Sequence, residues 1–387
     1  MNPAIPRARE LWARLQAFFN ANKWYRASFE KWMSGQISPD RRPSPEEVQN
    51  QHARYLLYAP LAGGATVLER FIDGLPRKAA EDRAIAVRWR EASDGVLELQ
   101  EATEGGYRCF DLVFCRKRIL ASEDLRGLPA DPRGGFLAAF FLPIDGECCF
   151  LGGVARFLPR APESRVSAMD AARDYRLQYA QRILAESPAQ REESMRIRRV
   201  FAIRFAARFG GPEWVTTGLA YVAAMRQFFA ALEEEGRTGD RSSVDHVAWH
   251  ELELERQFPC DLPAHLVRSE NLGVVCDEQE EPLILGEYGR FQGALAADDP
   301  ETVPGWRKRL RAYLMDPTVS ELPFRLALAR NPERVLDRMR QAMELSELTR
   351  EAFDTMLRQA KAPHLPSHLK PTWVPTPDWS GMLPAPE

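Results

Sequence analysis

The sequence predicts an α+β protein, predominantly helical, with a small antiparallel β module (sheet or small barrel) and a Pro-rich C-terminal tail. Apolar residues recur at helical spacing over most of the 387 residues, as amphipathic helices packed on a core require. At Asp94-Gly95 the texture changes to short apolar runs separated by turn residues, which reads as strands. The last 27 residues hold seven Pro, too many for a helix or a central strand. These changes divide the chain into a helical arm over 1–92, a β module over 93–159, a helical domain over 160–360 with a short β-hairpin near 272–286, and the tail over 361–387. Length alone suggests two to three domains.

The arm begins with Leu11, Leu15, Phe18 and Phe19 at helical spacing, followed by Trp24, Tyr25, Phe29, Trp32 and Met33. Ser38 to Pro45 is a Pro- and Arg-rich connection. Ser44-Pro45-x-Glu47 and Thr66-x-x-Glu69 then read as capping boxes, with Pro45 suited to a first helical turn. The helical pattern continues to Trp89 with a break at Pro76. In the β module, Val96, Leu97 and Leu99, then Tyr107 to Phe114, then Ile119 and Leu120 are candidate strands. Phe136 to Leu142 and Cys148 to Leu151 flank Asp145-Gly146, a hairpin signal. Helix returns after Pro162, with starts near Ser167 and Ser187. Gly210-Gly211-Pro212 is a stop, after which a helix carrying Trp214, Leu219, Tyr221, Met225 and Phe228 is expected. Val274-Val275-Cys276 and Leu283-Ile284-Leu285 form the later hairpin, and helices resume from Trp306 to Ala360.

Composition excludes several classes. Hydrophobic residues make up 45% and charged residues 28%, as in ordinary globular proteins, and the net charge of −3 gives no global attraction to nucleic acid or an anionic membrane. No apolar run reaches the roughly 18 residues a membrane span needs. Met1 to Glu10 lacks the apolar segment of a secretory signal, so a cytoplasmic location is expected. The six Cys form no C-x-x-C pair or zinc spacing and read as free thiols. Phosphate-loop, dinucleotide and nucleophile-elbow motifs are absent from the sequence, and no cofactor is expected.

Three groups of residues stand out as candidate sites. His246 and His250, four apart on an expected helix, would lie one turn from each other and could hold a divalent metal, with Asp245 or Glu251 nearby. The pattern is not H-E-x-x-H, because Val247 follows His246. Arg-rich helices carrying Arg196, Arg199, Arg307 and Arg311 could neutralise phosphates. Residues 232–301, however, hold 18 acidic residues against five Arg, so pairing within the fold is the first expectation for those arginines. Trp373 and Trp379 in the tail would pack onto the body or enter a partner's groove.

The stretch from Tyr55 to Pro159 resembles a module of uncharacterised bacterial proteins that often carry a SEC-C motif. The residues concerned are Thr66-x-x-Glu69-Arg70-Phe71, Leu97-Glu98-Leu99, Cys109-Phe110-Asp111-Leu112-Val113, Phe140 to Gly146, and Leu151-Gly152-Gly153 with Phe157-Leu158-Pro159. The resemblance implies a helical arm leading into a small β domain and assigns no catalytic residue. The SEC-C zinc site itself is missing, because no Cys follows Cys276. The first functional expectation is therefore a non-catalytic cytoplasmic protein that works through a protein partner, possessing no membrane segment. A nucleic-acid-associated protein, using the Arg-rich helix or the β module, is the second. A metal-dependent enzyme at His246 and His250 is the third.

Overall fold

The apolar spacing of the first segment produces helix α1 (Ala4–Ala21), whose buried stripe is Ile5, Ala8, Leu11, Trp12, Leu15 and Phe19. In this computed structural model, residues 4–36, 42–62, 64–104, 106–240, 242–243, 245–258, 260–278, 282–316, 319–361, 373–375, 377 and 379 are described. Most of the predicted Pro-rich tail, the connection from 37 to 41 and part of the acidic turn after Cys276 lie outside them. The chain divides into two compact units, residues 1–176 with 377–387, and residues 177–376.

In the first unit, α1 is followed by α2 (Lys23–Gln36), α3 (Pro45–Tyr58), α4 (Val67–Gly74) and α5 (Ala80–Arg88). Both expected capping boxes form: the Ser44 hydroxyl accepts from the Glu47 amide while the Glu47 carboxylate accepts from the Ser44 amide, and Thr66 with Glu69 repeats the pattern. Each box satisfies two amides that a helix start leaves unpaired, and a cap residue contributes about 1 kcal/mol.

Six strands follow: β1 (Ser93–Thr103), β2 (Gly106–Asp111), β3 (Arg116–Ala121), β4 (Phe136–Pro143), β5 (Cys148–Leu151) and β6 (Arg156–Leu158). Their order is β1-β2-β3-β5-β4, and β4 pairs back onto β1, so five strands close into a barrel with β6 added to β4. Of the pairings that close the barrel, only β3 with β5 is parallel. β1 serves two neighbours: Ser93 to Glu98 face β4, and Leu97 to Thr103 face β2, with a register shift between Leu99 and Glu101. Such a bulge bends a strand and raises its twist, which closure of a small barrel requires. Gly106 opens β2 where a Cβ would stand 2.0 Å from the Leu120 carbonyl oxygen. No side chain fits there.

Strand alternation then sorts the side chains. Leu97, Leu99, Tyr107, Cys109, Leu120, Leu137, Ala139, Phe141 and Cys149 fill the barrel. The outward residues Ala121, Phe140, Leu142, Cys148 and Phe150 join the arm's core with Trp12, Tyr55, Phe71 and Trp89. The Trp89 ring meets Trp12 edge-on at 5.4 Å and Phe150 at 6.3 Å. The arm therefore covers β4, β5 and the end of β3. A bidentate ion pair from Arg54 of α3 to the buried Asp94 on β1 holds the same contact. Helix α6 (Pro162–Gln178) follows β6.

The second unit holds α7 (Ala180–Glu186), α8 (Pro188–Phe209), β7 (Glu213–Thr216), α9 (Gly218–Thr238), the short α10 (Leu254–Gln257) and α11 (Ala264–Val267), β8 (Leu272–Val275) and β9 (Leu283–Leu285). It continues with α12 (Tyr288–Ala296), α13 (Trp306–Met315), α14 (Leu322–Arg330), α15 (Pro332–Ala342) and α16 (Arg350–Ala360). The expected hairpin forms from β8 and β9, but β7 joins it as a third antiparallel strand. Trp214 therefore lies on a strand, where a helix had been expected to begin. The run Trp-Val-Thr-Thr is rich in strand-favouring residues, and Thr217, whose hydroxyl accepts from the Ala220 amide, caps α9 instead. The sheet is covered on both faces. Leu272 and Val274 point into one core with Phe201, Phe205, Tyr221 and Phe229. Val275, Leu283 and Leu285 point into the other with Tyr288, Phe291, Leu310 and Phe324. Gly273 lets α12 approach, since a Cβ there would meet the Tyr288 side chain at 2.3 Å.

No helix among the described residues is long and apolar enough to cross a membrane.

Two outcomes follow from the first unit's core. Trp89→Ala is expected to destabilise it by about 3–5 kcal/mol, the cost of emptying a large aromatic site, read as a lowered urea midpoint; a loss below about 1 kcal/mol would contradict the packing. His52 lies edge-on to Phe19 at 4.6 Å and to Phe29 at 5.3 Å, and burial lowers its pKa below the usual 6.5. The folded state then favours neutral imidazole, so its contribution is complete above about pH 6.5 and is lost as pH falls through the lowered folded value. Thermal unfolding between pH 7.5 and 5 should show a smaller acid sensitivity in His52→Leu than in the parent chain, and equal sensitivity would refute the assignment.

Candidate functional site

The arm leaves β2 and the start of β3 uncovered, and their outward residues form the barrel's free face. Alternation puts Arg108 and Phe110 of β2 and Lys117 of β3 outward, with Phe110 directly across from Lys117 and Arg108 across from Ile119. Arg108 and Lys117 are exposed and Phe110 is half-buried. Arg108 reaches Glu101 on the neighbouring strand, an ion pair with both partners about half in water. Such a pair contributes little and yields readily to a competing anion. Beside it Glu98, across from Phe110 on β1, is buried, and that burial raises its carboxyl pKa. At the start of β3, the Arg116 guanidinium lies over the Phe114 ring at 4.9 Å.

The barrel's end below this face is polar. Asp111 accepts from the Val113 and Phe114 amides at 3.0 and 3.2 Å, setting the turn between β2 and β3. Its other oxygen lies 3.5 Å from Arg118 Nε, and both residues are buried. A cavity of about 10 Å³ lined by Glu91, Ser93, Asp111, Arg118, Pro143 and Cys149 lies there, room for about one water molecule.

The sequence-predicted residues are placed elsewhere. The helix expected through His246 and His250 does not form: His246 lies in an irregular stretch and His250 in a single 3₁₀ turn over Trp249–Glu251. Ser and Asp side chains explain the break, since the Ser243 hydroxyl accepts from the Asp245 amide and competes with helical bonding. The segment lies on α9 where Gly236 and Gly239 leave space, with a Gly236 Cβ reaching within 2.7 Å of the Trp249 amide. His250 Nδ1 falls beside Gly236 and His246 Nδ1 beside Gly239. His250 Nε2 faces Glu251 at 3.7 Å. Among the described residues, no group of three or more His, Cys, Asp or Glu is placed to hold a metal ion.

The arginines meet carboxylates of the same unit. Arg204 forks onto Glu235 at 2.8–3.0 Å, Arg196 bonds Glu193 and the His246 carbonyl, and Arg199 faces Asp245 at 3.9 Å. Arg307 pairs with Glu301 and Arg311 with Glu344. Two of the three pairs from α8, and that of Arg307, reach the acidic segment 232–301, whereas Arg311 pairs outside it. Trp373 and Trp379 are 0% and 1% exposed, buried in the second and first units respectively, so neither ring is presented to a partner. The Trp373 ring packs tilted against Phe201 at 4.9 Å, and the Gln257 amide brackets Val374, accepting from its N–H at 3.0 Å and donating toward its carbonyl at 3.4 Å.

Sequence reading missed Arg108, Phe110 and Lys117. The alternation Tyr107-Arg108-Cys109-Phe110 signalled the outward pair, but which outward face stays uncovered depends on where the arm packs. No protein-family model, no curated protein and no solved structure matches the chain.

Gln257→Leu should remove the bracket, leave the buried Val374 amide unpaired and cost about 1–3 kcal/mol. Denaturant titration with limited proteolysis near Trp373 tests it, and an unchanged midpoint with a protected tail would contradict the role.

Proposed function

We propose that this protein is a non-catalytic binding protein whose barrel takes single-stranded nucleic acid on the face of β2 and β3. The observation that carries the reading is the register of Phe110 against Lys117, with Arg108 on the same outward face. An aromatic ring offers a stacking surface to any base, and flanking cations offer partners to the backbone phosphates. The strand order β1-β2-β3-β5-β4-β1 supports it by connectivity: it resembles OB-type barrels, which use the face of strands 2 and 3 for oligonucleotides and oligosaccharides. Connectivity by itself assigns no function, so the weight rests on the residues. The Arg-rich helices contribute little to this reading, because their guanidiniums already hold carboxylates.

With few cations on the face, binding is modest and tolerant of sequence. A second reading, docking of a protein partner, is favoured by Trp24, which stands 76% exposed on α2. Large exposed aromatics are common anchors of protein interfaces.

Fluorescence anisotropy with labelled single-stranded DNA and RNA of about 12 nucleotides decides between them. The expected dissociation constant is on the order of 10⁻⁴–10⁻⁶ M, weakening with salt by a log–log slope of about −0.7 per phosphate contact. Phe110→Ala should weaken binding by about 1–3 kcal/mol, the contribution of one stacked base, and Trp24→Ala should leave it unchanged. Absence of binding at 50 mM salt, or binding indifferent to Phe110→Ala, would remove the nucleic-acid reading. Retention of a protein partner that Trp24→Ala abolishes would favour the second.

A further inference from the structure

A cleft of about 340 Å³ opens on the helical arm, lined by Arg7, Glu10, Leu11 and Arg14 of α1 and by Asp82 of α5. The α1 residues follow the i, i+3, i+4, i+7 spacing of one helix face. A single helix therefore presents two guanidiniums, a carboxylate and the buried Leu11 to the same space. Asp82 sets their arrangement. It is 8% exposed and accepts from Arg7 Nε at 2.7 Å and from Arg14 Nη1 at 2.9 Å. Those bonds, Arg7's first, hold its carboxyl below the usual range in spite of burial, so it stays an anion that ties both arginines down. Glu81 accepts from Arg7 Nη1. Glu10 stands three residues after Arg7 and four before Arg14, close enough on a helix to pair with either. Both guanidiniums turn to α5 instead. Among the described residues, the Glu10 carboxylate has no hydrogen bond or ion pair, and Arg14 Nε and Nη2 have no acceptor. The cleft thus holds an unpaired carboxylate and an unpaired guanidinium edge one helical turn apart.

We infer that this cleft is a binding site for a free α-amino acid with a small uncharged side chain, its carboxylate on Arg14 and its ammonium on Glu10. Charge decides against simpler ligands. Two guanidiniums and two carboxylates line the cleft, so a lone anion or a lone cation meets no net attraction there. A zwitterion brings both signs at once, and each finds its opposite. Nε and Nη2 form one edge of a guanidinium, and that edge takes a carboxylate through two parallel N–H bonds. Arg14 leaves this edge open because Asp82 holds Nη1. On the other side, an ammonium supplies three donors, and a carboxylate such as Glu10 only accepts. The volume suits a small molecule, and Leu11 offers the apolar contact for a side chain. The cleft lies on the arm, away from the barrel face of β2 and β3, so the inference does not depend on the nucleic-acid reading.

The test is equilibrium dialysis of the full chain against labelled L-valine at neutral pH, with acetate, methylammonium and trimethylglycine as competitors. L-Valine should bind saturably. Acetate and methylammonium carry one charge each, and trimethylglycine keeps both charges but has no N–H to give Glu10. All three should compete at least tenfold more weakly than unlabelled L-valine. Glu10→Gln should weaken L-valine binding by about tenfold or more, the loss of a hydrogen bond between charged groups. Its thermal midpoint should stay at the parent value, because this carboxylate holds nothing in the free chain. Arg14→Gln should weaken binding similarly, with a lower midpoint from the loss of an Asp82 partner. Absence of saturable L-valine binding, acetate competing as well as L-valine, or binding unmoved by Glu10→Gln would each overturn the site.

Discussion

Closure of the barrel through β1 is the constraint on which the first unit depends. A five-stranded barrel leaves no open edge only if one strand bonds to both ends of the sheet. β1 does this by lending its first half to β4 and its second to β2, with a bulge after Leu99 inside the second stretch. Closure makes the inner and outer side chains distinct. The inner ones fill the barrel, and half of the outer ones need a cover. The helical arm supplies that cover with Trp12, Tyr55 and Trp89. The arm leaves the narrow face bearing Arg108, Phe110 and Lys117 uncovered, while Asp111, Arg118 and Arg176 are buried at the barrel's polar end.

The second unit solves a different problem. A short three-stranded sheet cannot bury two faces alone, and here alternate residues of β8 feed two helical cores. Two arginines of α8, Arg204 and Arg199, face Glu235 on α9 and Asp245 just after it, and at exposed positions such pairs contribute at most about 1 kcal/mol each. Their effect is on specificity more than on stability, because a chain with this many charges must keep like charges apart where segments meet. The tail ends the arrangement with two buried tryptophans, each seated among residues of its own unit. An indole ring removed from water contributes a couple of kcal/mol by area, roughly 25 cal/mol per Å².

Several local features were legible from residue order. The boxes at Ser44 and Thr66 form because their partners are three residues away, within reach of any helix start. The hairpin at Asp145-Gly146 forms because two apolar runs flank a turn pair, and the hairpin of β8 and β9 for a similar reason. The failures are equally local in origin. Trp214 and Val215 fit a strand and a helix face equally well until a neighbouring strand exists to receive them. His246 and His250 had helical spacing, but spacing predicts a shared face only if the helix forms, and the Ser and Asp preceding them bind the backbone in another way.

The amino-acid order by itself determined the α+β class, the capped helix starts, the strand-rich middle and the preference of the arginines for the acidic segment, since each depends on neighbours within a few residues or on composition. Only the tertiary structure decided that the middle strands close into a barrel, which outward face the arm leaves free, and that Arg176 reaches the turn carrying Cys115. Those depend on contacts between residues scores or hundreds of positions apart. Periodicity states that a side chain will be buried, and carries no information on what it will be buried against.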